Sequence, residues 1–262
     1  MPQVLALDFD GVISDSLLEA YLLTWRIAGK LDPELALAGG RVPDPGNIHS
    51  FRDENREHWE SFWPLVPFGN RAEDYLVIHH AVHQGMVIAT QEQFDSYRKA
   101  FDPEQLDRFH EEFYRERYHL AEHDREGWVA LNKPYPGVRE AVETLSSSFE
   151  LAVATSKDAQ TVRALLHSYG MSALFGEGHV LDKSMGGSKR AHLAALRKIF
   201  NCTYGEITFI DDKVAHLIDC ASLGVRLYMA GWGYNSSQEE ELAASRNIAV
   251  LRIEDLQSLS TR

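Results

Sequence analysis

The sequence predicts an α/β fold: a parallel sheet core with helices on both faces, plus a helical domain inserted after the first strand. Three observations predict it. Short apolar runs rich in β-branched residues recur along the chain, segments of helical spacing alternate with the later runs, and one long interval near the N-terminus lacks such runs. Alternating strand and helix is the pattern of a parallel sheet, because each crossover helix lies over a sheet face that must be hidden from water.

The elements follow in order. Val4–Leu7 reads as a strand buried on both faces, being short, continuous and apolar. From about residue 16 to residue 133 long polar and aromatic stretches take over. Leu106, Phe109 and Phe113 fall at i, i+3 and i+7, the spacing of one helix face. Asp102 and Pro103 supply an N-cap and a first-turn proline for that helix. The Pro and Gly cluster from Gly39 to Gly46 reads as a loop, and Pro134-Tyr135-Pro136-Gly137 as the linker back to the sheet. Beyond it the strand runs are Leu151–Ala154, Ile207–Ile210, Val225–Met229 and Ile248–Leu251. The helical segments are Val138–Leu145, Ala159–Tyr169, Lys189–Phe200, Lys213–Leu223 and Gln238–Arg246. The expected domains are therefore residues 1–15 with 134–262 as the core and 16–133 as the insertion.

Composition bounds the function. The 262 residues are 44% apolar and 25% charged, as in globular chains, and exceed the roughly 150 residues of an average domain. Net charge is -13, which argues against nucleic acid or an anionic membrane surface as partner. A small phosphate remains compatible with an acidic protein when a divalent cation supplies local positive charge. Cys202 and Cys220 are the only cysteines, too few for a disulfide framework, so they read as reduced thiols and place the chain in the cytoplasm by default. No run approaches the ~18 apolar residues of a membrane span, and the N-terminal strand enters Asp8 directly rather than a cleavable apolar segment.

In parallel α/β sheets ligands bind beyond the carboxyl ends of strands, so chemistry is sought there. Val4–Leu7 is followed by Asp8-Phe9-Asp10-Gly11. Two carboxylates one residue apart lie on the same side of an extended chain, and a turn can aim both into the crevice. One can attack or bind a cation while the other moves a proton. Leu151–Ala154 ends in Thr155-Ser156-Lys157, whose hydroxyls and amides can hold phosphoryl oxygens or merely cap a helix. Ile207–Ile210 ends in Asp211-Asp212, suited to a hard cation or to the positive end of a helix. Lys189 opens a helix after Gly186-Gly187-Ser188, where an ammonium can neutralise both a carboxylate and a bound phosphate.

Carboxylate pair, hydroxyl, lysine and second carboxylate pair, in that order beside strand ends, resemble the four motifs of the haloacid dehalogenase-like hydrolase superfamily. The resemblance covers roughly residues 1–15 and 134–255, and the insertion stands where that family's C1-type helical cap does. It implies a Rossmann-like core and a Mg²⁺-dependent phosphatase acting on a small phosphorylated metabolite through an aspartyl-phosphate. By that resemblance Asp8 is the nucleophile and Asp10 the acid and base. Thr155 binds the phosphoryl group and Lys189 stabilises charge. Mg²⁺ is held by Asp8, the Asp10 carbonyl and Asp212, with Asp211 as ligand or support. The family's lysine is commonly followed by Pro, where this chain has Arg190, and Lys183 competes for the role; Lys189 is preferred because a helix continues from it.

Other readings are weighed against this one. His119-Leu120-Ala121-Glu122-His123 matches a zinc-peptidase spacing, but among 12 histidines accidental i, i+4 pairs are common and no third ligand is identifiable. His79, His80 and His83 read as a polar helix face. Gly187-Ser188-Lys189 fails as a nucleotide loop because Arg190 stands where a hydroxyl should bind Mg²⁺. A phosphomutase would share all core motifs and differ in the cap. A non-catalytic phosphate-binding protein would not need both acids of the first motif. Gly231-Trp232-Gly233-Tyr234 resembles loops in capped phosphatases of that family and also reads as a turn with aromatic packing, and Arg71 reads as a surface residue.

Overall fold

The computed structural model describes residues 2–36, 41–69 and 71–259. Two compact units emerge, one formed by Met1–Asp15 with Lys133–Arg262, the other by Ser16–Asn132.

The first unit is built on a six-stranded sheet. Its strands are β1 (Val4–Leu7), β4 (Glu150–Ala154), β5 (Val180–Leu181), β6 (Ile207–Asp211), β7 (Arg226–Ala230) and β8 (Ala249–Leu251); two short strands, β2 (Ser14–Asp15) and β3 (Lys133–Pro134), form a separate antiparallel pair. The sheet order is β5-β4-β1-β6-β7-β8 and every pairing in it is parallel. Numbered along the chain, those six strands follow the 3-2-1-4-5-6 order of doubly wound nucleotide-binding sheets, whose direction of winding reverses beside the first strand. All four residues of β1 are fully buried, which is why the first strand reads as an unbroken apolar run without alternation.

Register then sets the site. Leu7 pairs with Val153 of β4 and with Ile210 of β6, so one residue further along, Asp8, Ala154 and Asp211 stand level on three adjacent strands. Helices Val138–Leu145, Ala159–Ser168, Lys189–Ile199, Val214–Cys220 and Ser237–Ser245 match the expected segments to within a few residues. Asp158 caps the second, accepting from Thr161 N–H at 2.8 Å, and Ser188 caps the third, accepting from Ala191 N–H at 3.2 Å. The last part of the expected Lys213–Leu223 helix tightens into a 3₁₀ turn at Ala221–Leu223. Strands β5, β2 and β3 are two residues each, too short to give a readable period. Cys202 and Cys220 are buried free thiols.

The second unit is helical, with its longest helix at Pro103–His123. Asp102 caps that helix and Leu106, Phe109 and Phe113 are buried, as their spacing predicts. Inside lies an ion pair in which Glu19 accepts from Arg117 at 2.8 and 3.0 Å and from Trp128 Nε1 at 2.6 Å. A buried charge pair is tolerated when its polar atoms find such partners, and an indole N–H adds to the guanidinium here. His79 departs from expectation. It is fully buried against Trp25, ring centroids 4.4 Å apart, whereas His83 is exposed. The Asp74–His83 helix therefore turns one histidine of the cluster inward. Arg71 is exposed, 3.8 Å from Glu73. Of the expected Gly39 to Gly46 loop, residues 39 and 40 lie outside the described ones; Asp44 and Asn47 exchange hydrogen bonds at its end. No described helix is long and apolar enough to cross a membrane.

Candidate active site

Asp8 leaves the end of β1 nearly buried, at 7% exposure, and its Oδ1 accepts from Phe9 N–H at 2.7 Å. The chain then turns sharply: the N–H groups of Ile13 and Ser14 both reach back to Phe9 C=O at 2.9 Å. Gly11 makes the turn possible at φ +81°, and a Cβ there would stand 2.3 Å from Asp212 Oδ2. Glycine is thus required twice over, for the backbone angle and for the approach of a carboxylate.

Lys189 joins the three level strand ends. Its Nζ lies 2.7 Å from Asp8 Oδ2 and 3.1 Å from Asp211 Oδ2, and it donates to Ala154 C=O at 2.8 Å. Lys183, by contrast, is exposed in a 3₁₀ turn. An ammonium buried this deeply requires several acceptors, and the parallel register supplies one from each of β4, β1 and β6.

Asp211 and Asp212 diverge, as successive residues at a strand end do. Asp211 accepts from Lys213 N–H at 2.8 Å, and His216 Nδ1 lies 3.1 Å from both its oxygens. A carboxylate only accepts, so Nδ1 carries the hydrogen. Asp212 lies against Gly11 and accepts from Tyr234 N–H at 2.9 Å. Gly233 packs beside it, its would-be Cβ 2.3 Å from Gly11 C=O, and Lys213 Nζ donates to Tyr234 C=O at 3.1 Å. The Gly231–Tyr234 turn is therefore more than aromatic packing: it holds Asp212.

Thr155 is buried, and its Oγ1 accepts from Lys157 N–H at 3.1 Å, leaving the hydroxyl hydrogen to donate. Lys157 Nζ reaches both Asp10 oxygens, at 3.0 and 3.2 Å. The expected residues Asp8, Lys189 and Asp211 thus touch directly, Asp212 adjoins them through the Asp10-Gly11 turn, and Asp10 is tied to the Thr155 segment by Lys157. Sequence reasoning assigned no role to Lys157, His216, Lys213 or Tyr234. His216 carried a signal, standing one turn into the helix after the acidic pair; the contact of Tyr234 is made by its backbone and carried none.

Burial dominates the electrostatics. It pushes the Asp8 carboxyl above its ordinary value despite the opposing Lys189 charge, with Asp211 adding to the rise. It pushes Asp212 well up too, against Lys213 and together with Asp211 and Asp8. For Asp211 burial also acts upward, but Lys189 and His216 outweigh it and the group is held down. For Lys189 burial acts downward and is outweighed by Asp211 and Asp8, so the ammonium is retained. The set is one of crowded carboxylates with too little positive charge, as fits a cation site. Among the described residues Asp8, Asp211 and His216 form the one group of three whose ligand atoms lie within 4.8 Å of one another. His119 and His123 stack on each other, centroids 4.2 Å apart, on an exposed helix face and belong to no such group.

The family model for haloacid dehalogenase-like hydrolases matches residues 2–221. The chain belongs to the haloacid dehalogenase-like hydrolase family. It is an enzyme of the hydrolase class. No curated protein matches it significantly. Solved structures do, at low identity. A predicted phosphatase from Clostridium acetobutylicum is similar with a TM-score of 0.62 at 17% identity, over 98% of this chain and 97% of that one. A haloacid dehalogenase-like family protein from Streptococcus pneumoniae is similar with a TM-score of 0.61 at 15% identity, over 98% and 97%. A predicted phosphoglycolate phosphatase from Haemophilus somnus gives 0.59 at 18% identity, over 98% and 96%. At such identities the likeness is one of fold.

Proposed function

We propose that this hydrolase is a Mg²⁺-dependent phosphatase that cleaves a small phosphorylated metabolite through an aspartyl-phosphate on Asp8. The observation that carries the reading is the buried Lys189 ammonium shared between Asp8 and Asp211 at 2.7 and 3.1 Å. An anionic nucleophile approaching an anionic phosphate needs fixed positive charge, and phosphoryl transfer asks for placement and charge stabilisation above all.

In this reading Asp8 Oδ attacks phosphorus and the substrate oxygen departs, taking a proton from the Asp10 carboxyl. Asp10 then accepts a proton from water as the water oxygen attacks the same phosphorus, and the Asp8 carboxylate leaves. The Thr155 hydroxyl donates to a phosphoryl oxygen. Asp211, gripped by Lys189, His216 and Lys213 N–H, keeps the ammonium aimed at Asp8. Asp8, the Asp10 carbonyl and Asp212 are the oxygen donors that would hold the magnesium, a hard cation that prefers such ligands. When bound it would offset the repulsion between carboxylates and phosphate.

The helical unit Ser16–Asn132 serves as the cap in this proposal and supplies the groups that select the substrate, as lids do. The names of similar structures, a phosphatase and a phosphoglycolate phosphatase, support a phosphate monoester of a small molecule. The test is a panel of phosphorylated sugars, nucleotides and small acids, with and without Mg²⁺, followed by release of inorganic phosphate. Metal-dependent release from a subset, absent in Asp8→Asn, is expected. Release that persists in Asp8→Asn, or transfer to a second hydroxyl in place of water, would overturn the reading.

A further inference from the structure

A second lysine is buried at the carboxyl end of the sheet. Lys157 is 4% exposed, and its Nζ meets Asp10 Oδ1 at 3.0 Å and Oδ2 at 3.2 Å. The side chains are unequal: that of Lys157 is 2% exposed and that of Asp10 34%. The ammonium is therefore the fixed member of the pair and the carboxylate the one that could otherwise swing. The backbone beneath Lys157 is pinned on both sides, by Thr155 N–H on Leu181 C=O at 2.9 Å and by the Asp158 cap on Thr161 N–H at 2.8 Å.

We propose that Lys157 is a positioning residue for Asp10, fixing the orientation of its carboxylate that serves hydrolysis of the phospho-enzyme. This rests on the reading of Asp10 as acid and base. A carboxylate has about four lone-pair sites. Two contacts with one ammonium use two of them and stop rotation about the terminal bond, leaving the others for water. In the step concerned the water O–H bond breaks toward Asp10, the water oxygen bonds to phosphorus, and the phosphorus–oxygen bond to Asp8 breaks with its electron pair remaining on Asp8. The ammonium is neither consumed nor changed.

A leaving group that departs without a proton isolates this step. With p-nitrophenyl phosphate the first half-reaction releases a stable phenolate, so rapid mixing separates a burst of phenolate from the steady state that follows. Lys157→Met should keep the burst rate within about 3-fold while the steady-state rate falls by roughly 100-fold, the scale of one proton-transfer catalyst. Lys157→Arg, which restores a cation, should recover part of the loss, and Lys157→Gln provides a second uncharged variant should the methionine one fold poorly. Asp10→Asn is the control and should show the same split. If it does and the Lys157 variants instead slow burst and steady state equally, the positioning role is overturned while the Asp10 reading stands. If Asp10→Asn shows no split, both are overturned.

Discussion

The Lys189 ammonium lies 2.7 Å from the Asp8 carboxylate, and both side chains are buried among the ends of three parallel strands. Removing one partner of a buried ion pair leaves the other uncompensated and costs about 3–5 kcal/mol. Lys189→Met should therefore lower the urea midpoint strongly and cut phosphatase turnover by about 1000-fold or more, the scale of a lost charge-stabilising group. Lys183→Met, at an exposed position, should stay within about 0.5 kcal/mol of the native protein and keep its activity. Denaturation curves and turnover of the two variants side by side decide between the lysines, and a reversal of the two outcomes would move the site to Lys183.

A covalent intermediate on Asp8 gives a chemical signature of its own. Quenching the enzyme in acid during turnover should trap about one phosphoryl group per chain in a linkage cleaved by hydroxylamine, as acyl phosphates are, and Asp8→Asn should trap none. Chelation should abolish turnover and added Mg²⁺ restore it, because the carboxylates around Asp8 need a cation to accept a phosphate. Label that survives in Asp8→Asn would place the nucleophile elsewhere.

Much of this site was legible in the sequence for a physical reason. Parallel strands buried on both faces are unbroken apolar runs, so Asp8, Thr155 and Asp211 are marked by the abrupt arrival of polarity at each strand's end. Short elements such as β5 carry no period, and contacts made by backbone, as Tyr234 N–H makes to Asp212, leave no trace in residue type. Lys157 and His79 were hidden differently: a lysine after a strand end, or a histidine in a cluster with His80 and His83, looks solvated until the fold shows it enclosed. Lys189 was readable because its helix begins there, whereas the triple contact that fixes it depends on strand register.

The two glycines around Asp212 should be among the least replaceable residues of the chain. A methyl group on Gly11 would stand 2.3 Å from Asp212 Oδ2, and one on Gly233 would stand 2.3 Å from Gly11 C=O. Gly11 also has φ +81°. Gly11→Ala is expected to cost about 1–3 kcal/mol through backbone strain and to weaken Mg²⁺ activation. Gly233→Ala has no such φ penalty and should act chiefly by displacing Asp212, with a loss of about 100-fold in turnover, typical of a misplacement near 1 Å. Gly224→Ala, at another positive φ but with nothing near its would-be Cβ, separates strain from displacement: it should lose stability and retain turnover and metal dependence.

Acid should destabilise the protein through its helical unit. Burial lowers His79 to about 4, with His83 and His80 adding to the fall and the Leu35 carbonyl bond opposing it. Burial lowers His58 to about 3, with His79 and His83 adding. The rings lie 4.8 Å apart, His58 Nδ1 is 3.2 Å from Tyr21 Oη, and His79 Nε2 is 3.2 Å from Leu35 C=O. That carbonyl can only accept, so Nε2 of neutral His79 carries the hydrogen. In the unfolded chain both rings take up a proton as pH falls through about 6.5, whereas the folded protein resists until about pH 4 for His79 and about pH 3 for His58. Across that window the unfolded state binds more protons, so stability is full above about pH 6.5 and falls as pH drops toward 4. At about 1.4 kcal/mol per unit, His79 alone accounts for on the order of 3 kcal/mol. Urea unfolding of the whole chain between pH 7.5 and 4.5 reads the slope. His79→Phe keeps a ring against Trp25 and loses one hydrogen bond, costing about 1 kcal/mol at neutral pH, yet its stability should decline less steeply with acid. A slope unchanged by this substitution would show that His79 is not the group that acid attacks.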